Sequence, residues 1–103
     1  MTYGYETFAF QWRGIAIEVR YAGNWLNMAA KGYDTAHIEV ESLDPVRAPL
    51  PITETGYRSH FTTATTVAAY GGPVALVTTW LEEEAARPAW KAYEARSRQL
   101  TLF

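Results

Sequence analysis

Two alternating segments separated by two residues constrain this chain most. Residues 5–12 place Phe8, Phe10 and Trp12 on one face, with Thr7, Ala9 and Gln11 on the other. Residues 15–21 place Ile15, Ile17, Val19 and Tyr21 against Ala16, Glu18 and Arg20. Period two with aromatic and β-branched side chains predicts strands. Arg13-Gly14 between them is short enough for a tight hairpin, with glycine free to take positive φ. The large apolar groups share one face, so the sheet must be covered on that side.

Residues 35–42 alternate again, with Ala36, Ile38 and Val40 inward and His37, Glu39 and Glu41 outward. They predict a third strand. Ala22-Gly23-Asn24 ends the second strand, and residues 25–34 are ambiguous between one helical turn and a short edge strand, with Gly32 and Asp34 about Tyr33 suggesting a loop. Pro45, Pro49 and Pro51 mark residues 42–55 as an extended connection. Residues 56–61 predict a fourth strand, with Tyr57, Ser59 and Phe61 on one side and Arg58 and His60 on the other. Residues 62–66 either prolong that strand or form a loop. Gly72-Pro73 then opens a helix, because proline at the first helical position loses an N–H that has no partner there. Val74, Val77, Leu81 and Ala85 recur at helical spacing, widened by Leu76 and Trp80. Pro88 interrupts that pattern before a second helical run. Glu83/Arg87 and Glu94/Arg98 stand four apart, as solvated pairs do.

The expected fold is α+β: a four-stranded antiparallel meander with a C-terminal helix packed on one face. Residues 1–98 form one domain, and 99–103 a C-terminal docking peptide. The 103 residues include no cysteine, which excludes disulfides and thiolate metal sites. The start lacks a basic segment followed by an apolar run, and no stretch reaches the roughly 20 apolar residues of a membrane span. A cytoplasmic setting is expected. The net charge of −2 argues against direct nucleic-acid binding.

Three groups invite chemistry. His37, Glu39 and Glu41 share a face and could hold a divalent ion, or could be a solvated polar face. Tyr57, Arg58 and His60 with Glu54 form the densest polar cluster, either catalytic or tying down the long connection. His60-Phe61-Thr62 has the His-x-Thr form of the two-histidine phosphoesterases, but those enzymes need a second such motif and His37-Ile38-Glu39 does not supply it. No phosphate loop or serine elbow appears, so neither a catalytic residue, a metal nor a cofactor is assigned. Trp25 and Tyr33, in the ambiguous stretch, join Tyr57 and Arg58 as a candidate interaction patch.

The run from Leu50 to Phe61 (LPITETGYRSHF), with Gly71-Gly72-Pro73-Val74 and Trp80-Leu81, resembles small uncharacterised proteins of bacterial plasmids and prophages. That resemblance implies a mobile-element setting and no activity. Gln99-Leu100-Thr101-Leu102-Phe103 is similar to the motif by which bacterial replication and repair proteins bind the DNA sliding clamp. The resemblance implies that Gln99, Leu100, Leu102 and Phe103 bind a partner. Alternatively, the tail folds back on the domain's own core. The expectation is a non-enzymatic mobile-element protein that binds host nucleic-acid machinery. The alternatives are an anti-CRISPR or anti-restriction inhibitor of a defence complex, and a small enzyme centred on His60.

Overall fold

A computed structural model describes residues 4–24 and 34–100, the last two by their backbone alone. Trp25, Tyr33, Thr101, Leu102 and Phe103 lie outside the described residues, as does most of the ambiguous stretch. The elements are β1 (Glu6–Trp12), β2 (Ile15–Ala22), β3 (Thr35–Asp44), β4 (Tyr57–Thr63), α1 (Ala64–Tyr70), α2 (Pro73–Ala85) and α3 (Pro88–Leu100). The strands form one antiparallel sheet in the order β1-β2-β3-β4, the expected meander.

At the β1–β2 turn both Arg13 and Gly14 have positive φ, 47° and 82°. That is the geometry whose twist matches a two-residue hairpin. Arg13 tolerates it because its side chain is held from three sides. Its guanidinium stacks on Trp12 at 4.8 Å and donates to Glu82 at 3.0 Å and Glu94 at 3.1 Å. The Trp12 indole also donates to Glu82, at 2.7 Å. The hairpin turn is thereby clamped to both α2 and α3. Glu94 thus has a partner across the fold, and Arg87 pairs with Glu84 three residues earlier, at 3.3 Å.

The covered face buries Trp12, Ile17, Val19, Ile38 and Val40 against Leu76, Val77, Leu81 and Ala85 of α2. Phe8, Phe10, Ile15 and Trp80 pack around this core while half-buried. Val74 is also only half-buried, so the buried stripe of α2 runs through Leu76 instead. The connection after β3 is tied down by Ser42, which donates from its hydroxyl to Ala48 O and from its backbone to Gly56 O. Gly56 has φ 81°, and a Cβ there would lie 2.6 Å from the Arg47 Cα, so only glycine fits.

The sequence reading gave residues 62–66 to strand or loop; Thr62 and Thr63 do prolong β4, but residues 64–66 are helical. Together with residues 67–70, they form α1, with the Thr63 hydroxyl accepting from the Thr66 N–H and Gly71 closing the helix in the left-handed conformation.

Candidate interaction surface

The pairing register brings the polar residues of three strands into rows on the face away from α2. Arg20 stands opposite Glu39 and Ser59, Glu18 opposite Glu41 and Tyr57, and Ala22 opposite His37 and Phe61. Arg20 reaches across two strands. It pairs with Glu18, with Glu39 at 2.9 Å and with Glu41 at 3.1 Å. The Tyr57 phenol donates to the second oxygen of Glu39, at 2.7 Å. The hydrogen bond from Arg20 holds the Glu39 carboxyl below the usual carboxylate range, and the carboxylate in turn pushes the Tyr57 phenol up.

His37 sits on this same face yet is buried. Phe61 stacks on its ring at 4.5 Å, and its two nitrogens meet the Tyr5 hydroxyl at 2.5 Å and the Ser59 hydroxyl at 2.6 Å. A serine hydroxyl beside an imidazole has the reach for proton transfer. The other nitrogen, however, faces a phenol, which steadies an imidazolium far less than a carboxylate does. The arrangement works as a lock between β3 and β4. His37 is engaged in this way and both glutamates are bound to Arg20, so the polar residues of this strand face pair with one another. Among the described residues no group of His, Asp and Glu is arranged to hold a metal ion.

Tyr57 and Arg58 do not form one patch, because neighbouring strand residues point to opposite faces. Arg58 lies on the covered side at its rim, its guanidinium 5.3 Å from the Trp80 ring and donating to Ile52 O at 3.2 Å. His60 is beside it, 4.9 Å from Trp80. Burial, with help from Arg58 and His37, pushes the His60 imidazole below its ordinary value. It lines a small cleft of about 220 Å³ with Tyr70, Leu76, Trp80 and Glu83. Gln99 and Leu100 form the end of α3, so the backbone of the first two motif residues is helical.

Sequence reasoning missed Arg20, Glu18, Ser59, Phe61 and Tyr5 as parts of one surface. Alternation already placed Glu18, Arg20, Glu39 and Glu41 on outward faces of neighbouring strands, so a meander register would have joined them. Phe61 gives no such signal, because nothing in the pattern marks it as stacking on a histidine.

The fold and this surface describe a small α+β domain with one sheet face covered by helix and, among the described residues, no helix on the other, where the charges are paired. A family model described as the KlcB third domain matches residues 5–90. The chain belongs to that family, which is plasmid-associated. No match was found among the curated proteins or among the solved structures. The family match stops at Trp90, the first aromatic residue of α3, and does not include residues 99–103. Among the described residues no helix is long and apolar enough to cross a membrane.

Proposed function

We propose that this domain is a non-enzymatic binding module with which a plasmid protein docks on a host protein complex that acts on nucleic acid. The open face of the sheet carries the reading. It presents Phe61 and Tyr57, 52% and 41% exposed, beside an arginine held between carboxylates. Aromatic side chains and arginine dominate interface energetics. Because the face's charges are already paired, covering it strands few ions. His60, packed on Trp80, supports a structural role over acid–base chemistry.

The tail supplies the first partner to test. Leu102 and Phe103 would each contribute about 1.5–3 kcal/mol if fully buried in a pocket. After the costs of association, that amounts to micromolar affinity for the sliding clamp. A CRISPR or restriction effector is the alternative partner. The experiment is calorimetry of the domain against purified clamp and purified defence effectors. Two variants accompany the wild type, Phe61→Glu and the pair Leu102→Ala with Phe103→Ala. The tail pair is expected to abolish clamp binding with no change in Tm, and Phe61→Glu to weaken effector binding at least tenfold. Absence of heat with every such complex would overturn the reading.

A further inference from the structure

The sheet has two edge strands, and they are finished differently. At β4 the preceding connection closes the outer edge. The Tyr57 carbonyl accepts from the Thr53 and Thr55 hydroxyls, at 2.8 and 3.2 Å, and α1 follows the strand directly. Among the described residues β1 pairs with β2 alone, and its outer side has no such cover. Exposed edges are normally blunted by proline, lysine, a bulge or shortness. β1 runs for seven residues without proline or lysine and in unbroken register with β2, and its one charged residue is Glu6. We propose that β1 pairs antiparallel with β1 of a second copy of this chain, about a two-fold axis at Ala9, so that two four-stranded sheets join into one. The proposal uses the edge of the sheet and stands apart from the binding face read above.

The hairpin turn sets which backbone groups of β1 face outward. In a two-residue hairpin the residues flanking the loop, here Trp12 and Ile15, exchange both backbone bonds. Bonded pairs then alternate along the ladder, so Phe10, Phe8 and Glu6 bond to Ile17, Val19 and Tyr21. The N–H and C=O groups of Thr7, Ala9 and Gln11 therefore point out of the sheet. One antiparallel register engages all of them: Ala9 with its own copy, and Thr7 with Gln11 on either side, each pair exchanging two bonds. A register two residues away leaves Thr7 or Gln11 outside the pairing.

The side chains fit the same register. On the helix-covered side Phe8 falls opposite Phe10 of the other copy, in the closely spaced, non-hydrogen-bonded pairs. Both rings are only half-buried in one copy, so the joint covers apolar surface that the chain's own core leaves wet, and aromatic cross-strand pairs are favourable. On the other side Thr7 faces Gln11 and the small Ala9 sits at the axis, all three exposed in one copy. The two Glu6 carboxylates end at opposite ends of the joint, about 20 Å apart at roughly 3.4 Å per residue. That exceeds the range of screened repulsion. A strand with one acid at one end and uncharged residues beyond it thus meets its own antiparallel copy without a like-charge contact. The axis runs perpendicular to the sheet, so the faces bearing Tyr57 and Phe61 point the same way in both copies, as a bivalent surface.

The test is sedimentation equilibrium of the chain from about 1 to 500 μM, a span that brackets micromolar affinity. The expected mass rises from 11.6 kDa towards twice that value. Ala9 lies opposite Glu18 of β2, so Ala9→Lys gains an opposite charge within one copy and stays folded by circular dichroism. At the axis the same substitution sets two ammonium groups against each other and should weaken dimerisation about fivefold or more. An equal mixture of Ala9→Lys and Ala9→Glu should dimerise more tightly than either variant alone. Three results would overturn the proposal. One is a wild type that stays monomeric throughout, which would leave the edge to a strand of another protein. Another is Ala9→Lys dimerising as the wild type does, which would place the interface elsewhere. The last is a mixture that dimerises no more tightly than Ala9→Lys by itself.

Discussion

Arg20 faces Glu18, Glu39 and Glu41 at once, and its side chain is only 25% exposed. Removing it leaves three carboxylates crowded on one face. Arg20→Gln is expected to cost about 2 kcal/mol at pH 7 by urea unfolding, in the range of lost charge-assisted hydrogen bonds. The pH dependence follows from Glu39, whose carboxyl is held low in the folded state by Arg20. Its stabilisation is complete above the ordinary carboxylate range near about 4.3 and is lost as the pH falls through the lowered value. The wild type should therefore lose its advantage over Arg20→Gln towards about pH 3. A deficit unchanged at that pH would assign the cost to packing of the arginine stem.

At the scale of elements, legibility followed how local the cause was. The hairpin, β3 and the start of α2 were readable because alternation and the Gly72-Pro73 start signal lie within the segments themselves. α1 was not. Thr63, Thr65 and Thr66 are β-branched and poor helix formers, so local propensity pointed to strand. What makes the helix is partly remote: Asp34, at the edge of β3, accepts from the Ala64 and Thr65 N–H groups, at 3.2 and 3.1 Å. Those bonds stand in for the partners a helix start lacks. Thr63→Ala removes the local cap and is expected to cost about 1 kcal/mol in thermal or urea unfolding. A change within about 0.2 kcal/mol would mean that Asp34 holds the helix start alone. The candidate surface was half legible for the same reason. Its charged residues announced themselves by alternation, whereas burial of His37 depended on Tyr5, Ser59 and Phe61 arriving from other strands.

The whole molecule measures 56 × 27 × 19 Å, and its charge is divided along the sequence. Residues 1–86 hold five cations against ten anions, whereas 87–103 hold four cations against one. The two parts meet at Arg13, Glu82 and Glu94, which makes the clamp at the hairpin turn a long-range closure late in the chain. Glu82→Ala should therefore raise the unfolding rate and leave the refolding rate nearly unchanged in stopped-flow measurements, as expected for contacts absent from the transition state. An equal slowing of refolding would place the clamp in the folding nucleus. The meander itself has a consequence during synthesis. Every strand pairs with its sequence neighbour, so the sheet can assemble while the chain is still emerging from the ribosome. Its cover arrives with α2, some thirty residues after the last inner residue of β3 (about the length a ribosome takes seconds to make). For that interval Ile17, Val19, Ile38 and Val40 form an uncovered apolar sheet on the nascent chain, a surface open to chaperones until α2 closes over it.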